Sequence, residues 1–211
     1  MNTYSQAGQD LFVEAITKGK TNGYFLEIGS NHPDVNSNTY LLEKKYNWKG
    51  LMVEYDKSYQ SLYETQRPNS MYVMEDARII NYRKFLDDNK FPENIDYLQI
   101  DLDVDNRSTL DTLLLLNNTV FDKYKFATIT FEHDIYTGNF FDTQNISRKL
   151  LTDRGYILVF PNVCVFYGGG YNPFEDWYVH PELVDMNYVN KLITTDSLTV
   201  EQIKTLLSSS N

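Results

Sequence analysis

The sequence predicts an α/β fold, with a mostly parallel seven-stranded sheet and helices on both faces. Three observations carry this. Short apolar runs alternate with amphipathic stretches along the chain, the pattern of repeated βαβ units. No internal repeat, low-complexity tract or linker divides the 211 residues, so 1–211 reads as a single domain. Hydrophobic residues make up 42% of the chain, with 17 Tyr and 12 Phe, which is ample for a packed core.

The elements follow in order. Residues 9–18 read as a helix ahead of the sheet, and Tyr24–Ile28 as the first strand, stopped by Gly29. A helix over 38–46 has Asn38 as its N-cap. Residues 51–54 form the second strand, with a helix over 58–65; 71–74 form the third, with a short helix over 82–88. The fourth strand is 97–100, followed by a helix over 108–116, and the fifth is 126–131. A long segment, 132–145, delays the next helix, 146–153. The sixth strand is 156–160, and the run on to Phe166 reads as turning back into an antiparallel seventh. Residues 168–181 read as a glycine-rich, aromatic loop, and 199–207 as a final surface helix.

Composition narrows the function. A formal net charge of −10 argues against nucleic acid and anionic membrane surfaces, which are met with clustered Lys and Arg. The single cysteine, Cys164, lies in an apolar run and reads as a buried small hydrophobe. The amino-terminal residues lack the basic start and apolar stretch of a signal peptide, and no window has the length of a membrane span. The chain reads as intracellular and cytoplasmic, so the Asn-x-Ser/Thr matches at Asn106, Asn117 and Asn145 carry little weight.

In such a sheet, ligands bind beyond the carboxyl ends of the strands, where strand order reverses. Those ends are acidic here: Glu27, Glu54, Glu75 with Asp76, and Asp101, then Glu132 after the fifth strand. Like charges gathered on one edge repel unless a cation or a hydroxyl-rich ligand is bound. A nucleoside carrying a cationic group would use each of them. Gly29 would let the backbone approach the ligand. Glu54, beside Tyr55, would accept both ribose hydroxyls, and Asp76, before the small Ala77, an adenine amino group. Glu27 and Asp101 would suit an ammonium or sulfonium charge. NAD fits poorly, because Gly29-Ser-Asn-His-Pro-Asp34 lacks the second and third glycines of a dinucleotide turn; the Walker A loop for ATP is also absent.

An ordered set of motifs sharpens this reading. Tyr4-Ser-Gln-Ala-Gly-Gln-Asp10, Phe25-Leu-Glu-Ile-Gly-Ser-Asn31, Ser37-Asn-Thr39, Trp48-Lys-Gly50, Leu51-Met-Val-Glu54 and Ile95-Asp-Tyr-Leu-Gln-Ile-Asp-Leu-Asp103 follow in sequence. Together they resemble the FkbM family of methyltransferases across roughly residues 4–160. The resemblance implies a class I methyltransferase, Rossmann-like fold, S-adenosyl-L-methionine as donor, and O-methylation, often of sugars. It also implies that Gln6, Asn38 and Thr39 touch the methionine part of the cofactor, where the plain alternative is helix capping by Gln6 and Asn38. One departure is Asp103-Val-Asp-Asn106, where the family commonly has an acid followed by glycine.

Methyl transfer to a hydroxyl needs positioning and removal of a proton. His133, between Glu132 and Asp134, is a candidate base, with Asp101 the second catalytic candidate. Asp101, Glu132 and His133 are equally acceptable ligands for Mg²⁺ or Mn²⁺; alternatively Glu132 and Asp134 only orient His133. The acceptor is expected over 132–145 and the 168–181 loop, where Tyr167, Tyr171, Trp177, Tyr178 and His180 would stack on sugar rings or form a dimer contact. A sugar or glycan hydroxyl is the expected acceptor. Small phenols or catechols, or a non-catalytic nucleoside-binding domain, are the alternatives.

Overall fold

Alternation along the strands builds two apolar faces on one sheet. In the computed structural model, which describes residues 3–209, the strands are β1 (Tyr24–Ile28), β2 (Lys49–Glu54), β3 (Met71–Met74), β4 (Asn94–Ile100), β5 (Lys125–Glu132), β6 (Ile157–Tyr167) and β7 (Gly170–Val179). On β1, Phe25 packs on one side of the sheet and Leu26 and Ile28 on the other, as a period of two requires. The first face is covered by α1 (Gln9–Ile16), α2 (Tyr40–Tyr46), α3 (Gln60–Gln66), α7 (Met186–Val189) and α8 (Val200–Ser209). The second is covered by α4 (Tyr82–Asp88), α5 (Ser108–Thr119) and α6 (Phe141–Asp153).

Strand order is β3-β2-β1-β4-β5-β7-β6. The first five strands pair in parallel, and β7 enters antiparallel between β5 and β6. The order reverses between β1 and β4, so the carboxyl ends of these strands open a crevice there. This is the α/β fold read from the sequence, with helices on both faces. Among the described residues, no helix is long and apolar enough to cross a membrane.

The largest departure is at the β6–β7 hairpin. The expected turn after residue 160 is a bulge inside one long strand, with register shifts between Leu158 and Cys164 and Asn162 at φ 51°. The expected loop over 168–181 is a tight turn followed by β7. Pro173, Glu175 and Asp176 hid that strand, since acids and proline are depleted in strands and these two acids are fully buried. The 132–145 insertion is shorter than expected, because α6 begins at Phe141.

Candidate functional site

A cleft of about 640 Å³ opens at the switch in strand order, lined by residues from four strand ends and the amino-terminal segment. Gln6, Gly29, Asn38, Glu54, Tyr55, Asp76, Ala77 and Asp101 all face it. These are eight of the ten residues expected at a cofactor. A second cleft of about 650 Å³, floored by Leu11, Ala15, Tyr46 and Tyr188, carries no strand-end residue. The first is therefore the candidate site.

The remaining two, Glu27 and Thr39, are fully buried behind the cleft wall. The Glu27 carboxylate accepts the Asn38 N–H at 2.9 Å and the Thr39 hydroxyl at 2.5 Å. Burial raises the Glu27 pKa, and the nearby Arg67 guanidinium offsets part of that rise. Asn38 itself does not cap α2, whose N-cap is Thr39; its Oδ1 has no hydrogen-bond partner. Gln6 does not cap α1 either, because Gly8 takes the N-cap position with φ 81°. The segment carrying Gln6 is tied down by buried Asp10, which accepts from Tyr4 N–H, Ser5 Oγ and Leu11 N–H at 2.7–2.9 Å.

Gly29 is required, but its reason is internal. Its φ is +84°, and a β-carbon there would lie 1.7 Å from the carbonyl oxygen of Asp101. The glycine lets β1 and β4 meet at the crevice. Glu54 is already organised by the chain: its carboxylate accepts the N–H groups of Asn31, Tyr55 and Asp56 at 2.7–2.8 Å. Two carboxylate oxygens have further lone pairs, so ribose hydroxyls can still be accepted. Asp76 is gripped by Arg78, which donates from Nη2 at 2.6 Å and from Nε at 2.9 Å. That pairing holds the Asp76 carboxyl below its usual range.

The two expected catalytic residues separate. Asp101 lines the cleft. His133 is wholly buried, and its Nε2 lies 3.4 Å from both Asp176 Oδ1 and Gln144 Nε2 of α6. Glu132 and His133 are neighbours on an extended chain, so their side chains leave on opposite sides. Glu132 meets Asp101 and Asp134, while His133 points toward α6. Burial pushes Glu132 well above the usual carboxylate range, and the Asp101 charge raises it further; burial also raises Asp101. The expected metal set of Asp101, Glu132 and His133 is therefore corrected. Asp101 and Glu132 meet but His133 does not join them, and among the described residues no group of three His, Cys, Asp or Glu is placed to hold a metal.

The expected acceptor aromatics also divide. Trp177, Tyr178 and His180 are buried in the sheet, whereas Tyr167 and Tyr171 remain 66% and 60% exposed near the hairpin tip. Tyr136, from the segment after β5, packs edge-on against Tyr167 at 6.0 Å. Burial raises the Tyr136 pKa, and the Asp134 and Glu132 charges add to this. Tyr136 thus joins the acids at the end of β5 to the aromatic arm.

Several cleft residues were missed in the sequence, among them Asn31, Asn36, Arg78, Asn106 and Ser108. A signal existed for two of them. Asn31 and Asn36 adopt φ 48° and 56°, a left-handed conformation that asparagine tolerates and that gathers at functional loops.

The chain has the methyltransferase-like Rossmann fold. Similar solved structures include the O-methyltransferase TomG from Streptomyces achromogenes, involved in tomaymycin synthesis and solved in complex with SAM. It has a TM-score of 0.56 at 14% identity, over 84% of this chain and 81% of that one. A TehB-like SAM-dependent methyltransferase from Corynebacterium glutamicum gives 0.52 at 10% identity, over 85% and 89%. A precorrin-6y C5,15-methyltransferase from Geobacter metallireducens gives 0.50 at 14%, over 81% and 86%. No family model matches the chain, and no curated protein matches it in sequence.

Proposed function

We propose that this chain is an S-adenosylmethionine-dependent O-methyltransferase, similar to the FkbM family, whose acceptor is a sugar hydroxyl of a glycan or glycosylated metabolite. The carrying observation is the cleft itself, where Gln6, Asn38, Glu54 and Asp101 converge from separate elements around the strand-order switch. Glu54 takes the ribose, and Gln6 with Asn38 takes the methionine end. Asp76 and Ala77, at the end of β3, border the adenine. The donor's presence in the fold of TomG supports this assignment. Both apolar clusters share one sheet, which supports treating residues 1–211 as one methyltransferase domain.

Asp101 takes the role of proton acceptor, because it lines the cleft and His133 does not. A half-buried carboxyl with a raised pKa is a better match to a hydroxyl proton than a fully exposed one. The acceptor lies between Asp101 and the aromatic arm of Tyr136, Tyr167 and Tyr171. Ring faces with few cations suit a neutral sugar, and the net charge of −10 disfavours polyanions. The test presents labelled S-adenosylmethionine with glycosides, catechols and peptides, with and without EDTA. Label should pass to glycosides at a rate EDTA leaves unchanged. Transfer confined to catechols or peptides would defeat the sugar acceptor; loss in EDTA with recovery in Mg²⁺ would return a metal to the mechanism.

A further inference from the structure

Arg67 is a charged side chain with no exposed surface, set at the end of α3 and outside the cleft lining. Every donor it has is aimed at the loop between β1 and α2 or at α2. Its Nε donates to Glu43 Oε2 at 2.8 Å, and its Nη1 to the Pro33 carbonyl at 2.9 Å and Ser37 Oγ at 3.2 Å. Its Nη2 donates to Thr39 Oγ1 at 2.7 Å. The Thr39 hydroxyl in turn donates to Glu27, which also accepts from the Asn38 N–H. The guanidinium carbon also lies over the rings of Phe25 and Tyr40, 5.7 and 5.9 Å from their centroids.

The loop so held has no regular secondary structure and includes Asn36 in the left-handed region. Glu54 and Tyr63 hold its start at Ser30 and Asn31, and a backbone bridge joins Asn36 to Ser5, which Asp10 fixes. Two buried charges, Arg67 and Asp10, therefore hold two adjoining segments that put amide side chains on the cleft wall: Gln6 from the first, and Asn31, Asn36 and Asn38 from the second, of which Asn38 is the one next to Thr39. An amide offers both an acceptor and donors, matching the ammonium and carboxylate of an α-amino acid. Asn38 Oδ1 is left without a protein partner.

We propose that Arg67 is a positioning residue for the amino-acid end of the ligand, acting through Thr39 and Glu27 to hold Asn38 in place. A buried ion pair is a poor source of net stability, but it does fix one geometry over others. The proposal rests on the cofactor reading above, and a truncated ligand separates the two. S-adenosylhomocysteine carries the amino-acid end; 5′-methylthioadenosine keeps the adenosine and sulfur without it.

Calorimetric titration of both ligands into the parent, Thr39→Val, Arg67→Met and Asn38→Ala reads the effect. Thr39→Val removes the relay with little change of shape and guards against misfolding of Arg67→Met. Each variant should lose about 10-fold or more in affinity for S-adenosylhomocysteine, the scale of a lost charge-assisted contact, and bind 5′-methylthioadenosine as the parent does. Equal losses for both ligands, or no loss in Thr39→Val, would overturn the positioning role. A parent that binds neither ligand overturns the cofactor reading and this proposal with it.

Discussion

Glu54 sits where three backbone N–H groups, from Asn31, Tyr55 and Asp56, converge on its carboxylate. The charge therefore does two things: it shapes the turn after β2 and it presents acceptors to the cleft. Glu54→Ala should weaken S-adenosylhomocysteine binding by about 100-fold, the cost of two hydrogen bonds to a charged group. Equal affinity in variant and parent would remove Glu54 from the site. Residue-level chemistry was legible where a residue type allows few alternatives. A glutamate ending β2 and a glycine ending β1 are such cases, although the Gly29 requirement comes from the Asp101 carbonyl and not from a ligand. Arg67 was not legible, because nothing local distinguishes a buried arginine from a solvated one. Nor was the direction of His133, since its type and strand-end position do not say which face of the sheet it leaves from.

The β6–β7 hairpin is the element the sequence hid, and it carries two adjacent acids of opposite behaviour. Burial drives the Glu175 carboxyl well above the usual range, and the Asp101 and Asp176 charges add to the rise; neither of its buried oxygens has a hydrogen-bond partner among the described residues. Burial would raise Asp176 too, but hydrogen bonds from Arg148 and His133, with their charges, reverse the shift and hold it low. The signs differ accordingly. A carboxyl held high binds its proton more tightly in the fold, so Glu175 contributes stability in acid that is lost as pH rises through the folded value. Asp176 contributes stability above its unfolded pKa, about 3.9, that is lost as pH falls toward the lower folded value.

Glu175→Gln removes the first of these effects. Its thermal midpoint should exceed the parent's above neutrality, by about 2–4 °C for each kcal/mol recovered, and the gap should close as pH falls below the unfolded glutamate pKa of about 4.3. A variant less stable than the parent at every pH would show that Glu175 is held ionised. The tip of the same hairpin tests the proposed acceptor position. Tyr167→Ala with Tyr171→Ala, both exposed in the fold, should raise the acceptor KM several-fold and leave S-adenosylhomocysteine affinity unchanged. An unaltered KM would move the acceptor elsewhere.

At the scale of the whole molecule, the order β3-β2-β1-β4-β5-β7-β6 decides where the cleft opens. It places the reversal between β1 and β4, and five polypeptide segments contribute side chains to one cleft there. The parallel half of the sheet was legible from its repeated strand-helix alternation, and the cleft's position follows from that topology. The β6–β7 side, where the acceptor is proposed to sit, was less so, because it is a bulged hairpin whose strands contain proline, asparagine and buried acids. The fold alone names no acceptor: similar structures include both an O-methyltransferase and a precorrin C5,15-methyltransferase.

The cofactor is the central claim, and calorimetric titration of the unmodified chain with S-adenosylhomocysteine and, separately, NAD tests it most directly. Gly29 is followed by Ser30 and Asn31, with no further glycine before Thr39, so a pyrophosphate has no tight turn to occupy. The result expected is saturable one-to-one binding of S-adenosylhomocysteine with a Kd of about 100 μM or tighter, and no heat from NAD. Saturable NAD binding, or no binding of S-adenosylhomocysteine at millimolar concentration, would contradict the assignment.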